Sequence, residues 1–256
     1  MSIFKSSNPT LTEKMWNRAD GNIQAIGTET MTVRGAINKF GLLLLLVVGA
    51  AAYTWNLHAQ LADSTMNTLM MAGIFGGLIV AIAISFKPTW APFLAPLYAI
   101  LEGFFLGGIS VIFNAMFAEK YPGLIMQAVG LTFAVSIGMF LLYNFRIIKV
   151  TDKLRSVIIS ATVGILLFYI ITMVLGFFHV NVGFAYDSSL LGIGISLFIV
   201  AIAALNLLLD FDMIERGATG GAPKFMEWYG AFGLLVTIVW LYIEILKLLS
   251  RFAGRK

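Results

Sequence analysis

Residues 190–216 read LLGIGISLFIVAIAALNLLLDFDMIER, and this stretch decides the fold. From Leu190 to Leu209 it holds no Asp, Glu, Lys or Arg. A helix needs roughly 20 such residues to cross the ~30 Å hydrocarbon core of a bilayer. Asp210 and Asp212 then follow, with Arg216 close behind, and the helical pattern allows continuation to Arg216. The apolar run places the chain in a membrane. The acids at its end show where to look for function, because an ionisable group inside a bilayer is costly unless it is paired, hydrated or protonated.

Six more runs of this kind lie between Phe40 and Leu249. Hydropathy and helix breakers place them at about 38–56, 66–86, 92–117, 123–144, 156–178 and 226–249. His58 to Ser64 links the first two, and Lys87, Pro88 and Pro92 separate the second from the third. Glu119, Lys120 and Pro122 mark the next turn, and the basic stretch Arg146 to Arg155 precedes the fifth run. Gly217 to Lys224 forms the turn before the last. Every run spans and every connection is short. The expectation is an all-α membrane protein, one seven-helix bundle over residues 37–250. Residues 1–36 form a cytoplasmic or interfacial segment before it, and 251–256 form a basic tail.

Composition agrees. Of 256 residues 59% are hydrophobic and 12% charged, whereas a soluble chain is about one-quarter charged. The net charge of +4 comes from Lys and Arg flanking the runs, so it does not point to nucleic acid. The chain has no cysteine, which removes disulfides and thiolate metal sites. The polar, charged residues 1–36 do not read as a cleavable signal, so the first span is expected to direct insertion. Within them Asn8-Pro9-Thr10 offers a cap for a short interfacial helix carrying Leu11, Met15 and Trp16; the alternative is a solvated tail.

Orientation follows from basic residues, which favour the cytoplasmic side. With the N-terminus inside, that side holds Lys5, Lys14, Arg18, Arg34, Lys39, Lys87, Arg146, Lys149, Lys153, Arg155, Arg216 and Lys224 of the 17 basic residues. The outside loops hold Lys120. Lys247, Arg251, Arg255 and Lys256 conflict with the rule, since seven crossings put them outside. Either the C-terminal end is an exception, or one run is re-entrant and both termini are cytoplasmic.

Three carboxylates sit where membrane helices rarely carry them: Glu102, Asp210 and Glu244. Glu102, about ten residues or ~15 Å inside the third run, falls near the midplane. No Lys or Arg lies within a helical turn of it, and Gly103, Gly107 and Gly108 beside it permit close helix approach. Asp210 falls near the cytoplasmic boundary and Glu244 near the opposite one. The three would form a ladder across the bilayer. The plainer readings are a protonated Glu102 bonded to neighbouring backbone, Asp210 and Asp212 as hydrated interfacial acids, and Glu244 paired with Lys247 three residues on.

These residues resemble a family. Ser7-Asn8-Pro9, Thr30-Met31-Thr32-Val33 and the Leu-rich first span look like the bacterial branch of the Bax inhibitor-1 (transmembrane Bax inhibitor motif) family. So do Leu101-Glu102-Gly103, Leu106-Gly107-Gly108 and Trp240-Leu241-Tyr242-Ile243-Glu244. The resemblance covers nearly the whole chain. It implies seven helices with the last one central, a pH-sensitive calcium leak, suppression of cell death among eukaryotic members, and in a related bacterial member modulation of a membrane protease. It also implies a bacterial plasma (inner) membrane location.

The family's sensor is a pair of aspartates on the last two helices. Asp210-Phe211-Asp212-Met213-Ile214 stands where the family reads Asp-Thr-Gln and an aliphatic pair, so Asp210 takes the place of the first aspartate. Alignment on Ala231-Phe232-Gly233-Leu234 puts Thr237 where the second should be. Glu244, seven residues beyond Thr237, lies on the same helix face ~10 Å along the axis. The two-aspartate sensor is therefore not expected in its usual form.

No enzyme is expected. A membrane aspartyl protease needs a second aspartate on the last helix, and a serine protease needs an activated Ser with a His base. His58 and His179 stand at span ends, away from any Gly-x-Ser-Gly turn. Gly220-Gly221 lacks the Lys-Ser/Thr pair of a phosphate loop.

Two function classes remain. One is a pH-sensitive cation pathway, with calcium held transiently by Asp210, Glu102 and Glu244, since hard cations take carboxylate and carbonyl oxygens. Removal from water disfavours a charged carboxylate, which would couple conduction to pH; Asp210 is expected to share a proton with Asp212 or Thr237. The other is a non-conducting regulator that docks a membrane protease or another membrane partner. No cofactor is expected beyond calcium as the transported ion.

Overall fold

The structure, a computed structural model, describes residues 29–60, 63–178 and 188–255. The interfacial helix expected around Leu11 and Trp16 lies outside them, as does His179. Among the described residues seven long helices follow one another: α1 Val33–Ala59, α2 Asp63–Phe86, α3 Ala91–Phe117, α4 Leu124–Asn144, α5 Asp152–Phe177, α6 Leu190–Thr219 and α7 Met226–Arg255. All seven are long and apolar enough to cross a membrane. The protein is an all-α, seven-span membrane protein.

Several helix ends differ from those read in the sequence, among them those of α1, α5 and α7. α1 begins five residues before Asn38, because Thr32 caps it: its Oγ1 accepts the Gly35 N–H at 2.9 Å. A hydroxyl cap supplies a partner for one of the first-turn N–H groups that a helix leaves unpaired. α5 begins at Asp152 for the same reason, with the Leu154 N–H donating to Thr151 Oγ1 at 3.2 Å and the Asp152 carboxylate in the first turn. α7 runs to Arg255, so the basic tail is mostly helical. At the starts of α1 and α5 a threonine cap extends the helix beyond the apolar run.

The turns carry their own chemistry. A single 3₁₀ turn, Pro88–Trp90, separates α2 from α3, and the Lys87 ammonium sits over the Trp90 ring at 4.3 Å. Gly123 and Gly221 adopt positive φ (82° and 71°) immediately before α4 and in the turn before α7, a conformation open to glycine.

Apolar side chains cover the outer surface, among them Phe93, Leu45 and Ile79. In hydrocarbon, backbone and hydroxyl groups must find partners within the protein. The buried hydroxyls do so by turning back on their own helices: Thr54 donates to Ala50 O at 3.0 Å, Thr132 to Ala128 O at 2.7 Å, and Thr162 to Ile158 O at 2.9 Å. α7 is the most buried span, with 61% of its most apolar stretch enclosed, against 44% for α6 and less for the others. The last helix thus holds the inner place expected of it.

The described residues gather into two compact units. The first comprises residues 29–112 and 210–239. In it α1 and α3 approach closely, because Gly103 and Gly107 carry no side chain. A Cβ on Gly103 would lie 2.5 Å from Ala50 Cβ and from Val47 O. A Cβ on Gly73 of α2 would lie at the same distance from Leu101 O of α3. The second unit comprises residues 113–209 and 240–255. Its core joins Ile165 of α5 to Ile199 and Ile202 of α6, with Trp240 packed against them. A polar link accompanies that core: the Asn206 amide of α6 donates to Thr162 Oγ1 at 2.9 Å.

Candidate functional site

Asp210 is 1% exposed and lies within α6, nine residues before its end at Thr219. That places it ~14 Å from the helix terminus. α6 continues past it through Asp212 and Arg216 to Thr219, three residues beyond the Arg216 that the sequence allowed. From α7 the Thr237 hydroxyl donates to Asp210 Oδ2 at 2.5 Å. Thr237 is itself 4% exposed and follows the start of α7 by eleven residues, ~16 Å. The two positions named as counterparts of the sensor pair therefore meet, at matching depth, as carboxylate and hydroxyl.

Asp212 is held differently. Two residues on, it lies about 200° around the helix from Asp210. Its Oδ2 accepts from Arg216 Nε at 2.9 Å, one turn further along. Of the two neighbours named for Asp210, Thr237 hydrogen-bonds its carboxylate.

Glu102 stands near the middle of α3, eleven residues after Ala91. Tyr98, one turn before, hydrogen-bonds its carboxylate. The partner is thus a phenol from its own helix; the sequence reading had named neighbouring backbone. The other oxygen, Oε2, is enclosed and has no hydrogen-bond partner. α2 presents Gly77 to this carboxylate: a Cβ there would come within 3.3 Å of Glu102 Oε1. The Tyr98 ring packs edge-on against Phe232 of α7, centroids 4.8 Å apart.

Glu244 belongs to the second unit and is 2% exposed. Its Oε1 accepts from the Tyr169 hydroxyl of α5 at 2.8 Å and from Lys247 Nζ at 3.0 Å. Lys247 also lies over the Tyr169 ring at 4.8 Å. Pairing with Lys247 is what the sequence offered as the plain reading. It occurs inside the helix and not at its end, since eleven residues of α7 follow. Glu102 and Asp210 thus fall in one unit and Glu244 in the other. Among the described residues, no three His, Cys, Asp or Glu side chains lie together in a way that could hold a metal ion.

One carboxylate escaped the sequence reading. Glu227, in the first turn of α7, is fully buried. It accepts from the Thr32 N–H at 2.9 Å and the Thr32 hydroxyl at 3.0 Å, and it pairs with the Lys39 ammonium of α1. Lys224 stands 3.4 Å away. Hydropathy passes over Glu227 because it sits at a span boundary, where charges are ordinary. The signal lay in Thr30-Met31-Thr32-Val33, a motif at the entry to α1 whose Thr32 bonds to it.

A family model described as Bax inhibitor 1 like matches residues 8–254, almost the entire chain. The chain belongs to the Bax inhibitor 1-like family. Comparison with curated proteins returns no match, and comparison with solved structures returns none either.

Proposed function

We propose that this integral membrane protein is a pH-sensitive cation leak of the Bax inhibitor type, with calcium as its cargo. One observation carries the reading. Glu102 keeps a carboxylate oxygen enclosed in the middle of a membrane helix with no hydrogen-bond donor. An unpartnered buried acceptor costs about 1–3 kcal/mol, more for a charged group. A site that needs only rigidity would do without it, whereas a proton or an arriving cation supplies what Oε2 lacks. Gly77 keeps the facing wall of α2 free of side chain. A cation binding at Glu102 must displace any proton there, so flux should rise with pH. Asp210, held by Thr237, is the second station on this reading; Glu244 is a third, masked in the resting state by Lys247. The protein catalyses no reaction and carries no cofactor.

The test is calcium flux into liposomes containing only this protein, compared with Glu102→Gln. The amide keeps size and hydrogen bonding while removing charge. Flux should fall by about tenfold or more while helicity is kept. Unchanged flux in Glu102→Gln would make the residue structural and end this assignment.

A second reading has its own support. The sensor pair lacks its second aspartate, and Asp212 and Glu244 are neutralised by Arg216 and Lys247. That pattern suits a non-conducting regulator that docks a membrane protease or another membrane protein. Wild-type liposomes that pass no cation across the range pH 5–8 would favour it. On this reading the basic residues favour a cytoplasmic N-terminus, and the resemblance to bacterial members favours a bacterial plasma membrane.

A further inference from the structure

The geometry points to a releasable ionic clasp at one end of the α6–α7 hairpin, with Glu227 as its catch. Extended backbone entering α1 lies antiparallel to the turn between α6 and α7. The Met31 N–H donates to Ala222 O at 2.7 Å, the Lys224 N–H to Glu29 O at 3.2 Å, and Thr30 bridges Pro223. Glu227 fastens this contact from below. It takes both donors of Thr32, and lysines from two elements converge on it, Lys39 from α1 and Lys224 from the turn. Thr32 caps α1 at the same time, so one residue joins the start of α1 to the start of α7.

Two features make this a catch and not ordinary packing. First, a buried ion pair adds little net stability compared with apolar side chains of similar volume, but removing one partner is costly. Such a contact is specific and all-or-none, which suits a device with two positions. Both lysines retain access to water, with side chains 21% and 47% exposed, so hydration is available when they let go. Second, the carboxylate of the catch lies where a side chain at residue 35, a glycine, would begin. A Cβ on Gly35 would fall 2.1 Å from Glu227 Oε1, inside the carboxylate. A methyl group there would displace the carboxylate end from this position.

The clasp holds the end of the hairpin whose helices carry Asp210 and Thr237, and all of these residues lie in one unit. Opening it frees the last turns of α6 and the first of α7, and so loosens the pair. The clasp is thus a conformational control on that pair, and it would be present whether or not the protein conducts.

The native chain has no cysteine, which makes the experiment clean. Partners in an antiparallel bridge have Cα atoms about 4.5–5.5 Å apart, within the ~4.4–6.8 Å span of a disulfide. Thr30→Cys with Pro223→Cys, oxidised in the full-length protein in nanodiscs, locks the clasp. Gly35→Ala opens it while keeping every charged group. Backbone hydrogen exchange over residues 210–219 should slow in the locked protein and return to the native rate on reduction. In Gly35→Ala it should quicken by roughly ten- to a hundredfold, the factor for losing a charge-assisted hydrogen bond. A water-soluble maleimide should label single Thr30→Cys faster by a similar factor in the Gly35→Ala background. If the lock leaves exchange over 210–219 unchanged, the clasp controls nothing and the proposal fails. Should Gly35→Ala not fold, the locked protein by itself still decides between these outcomes, and neither readout depends on ion flux.

Discussion

At the scale of single residues, this protein handles each buried acid with a different partner, and the partner decides what the acid can do. Asp210 has a hydroxyl, Asp212 an arginine, Glu244 a phenol and a lysine, and Glu227 a threonine and two lysines. A threonine can donate to a carboxylate but cannot ionise beside it. The Asp210–Thr237 pair therefore holds one ionisable group, where an aspartate dyad would hold two. Thr237→Val should cost about 1.5–3 kcal/mol, the range for a hydrogen bond to a charged group, and Thr237→Ser should restore most of it. Thermal unfolding in detergent reads the difference; equal losses in both variants would mean that packing, not the hydroxyl, matters at this position. Asp210→Asn fixes the uncharged form. On the proposed function it should flatten the pH dependence of flux measured in liposomes, and an unchanged profile would remove Asp210 from the sensor. The presence of Asp210 and Thr237 in facing positions was legible from the family motif. Tyr98 and Tyr169 were not, because tyrosines are common in membrane helices and nothing local marks the one that reaches an acid.

Between elements, glycine spacing sets how near two helices come. Gly103 and Gly107 of α3 meet the backbone of α1, and Gly107 lies where a Cβ would be 2.6 Å from Ala51 O. Backbone atoms cannot rotate away as a side chain can. Gly107→Val should therefore push α1 and α3 apart and destabilise the protein by about 1–3 kcal/mol or more, as overpacking does. Gly49, on α1, has nothing within 4 Å of its Cβ position. Gly49→Ala should be neutral or stabilising by up to ~1 kcal/mol through helix propensity. A matched loss in both variants, read as unfolding temperature in detergent, would show that the tight α1–α3 approach does not matter. The sequence marked Gly103 and Gly107 as contact residues through their place beside Glu102. It did not mark which helix they meet, since α1 follows a composition that would pack against any neighbour. Helix ends show the same limit: hydropathy found all seven spans, but Thr32 and Thr151 set where α1 and α5 begin.

For the whole molecule, the clasp settles something the basic residues left open. Backbone entering α1 pairs with the turn between α6 and α7, so both lie on the same side of the membrane. A chain returns to its starting side only after an even number of crossings. Six helices, α1 to α6, stand between Thr32 and Ala222, and all six are long and apolar enough to span. A single re-entrant run among them would break the count. The re-entrant alternative is then confined to α7, a 30-residue helix whose ~45 Å length exceeds the hydrocarbon core. The expectation is then seven crossings, with Arg251 and Arg255 reached from the side opposite Lys224 despite their charge. Arg251 is not idle there: its guanidinium donates to Gly192 O near the start of α6, meeting one of that unit's backbone groups. Single cysteines at Lys153 and Arg255 of the otherwise cysteine-free chain test the arrangement in sealed vesicles of known orientation. An impermeant maleimide should reach one of the two from outside and the other only after permeabilisation. If both label from the same side, α7 does not cross, and a basic C-terminal end has prevailed over the length of the helix.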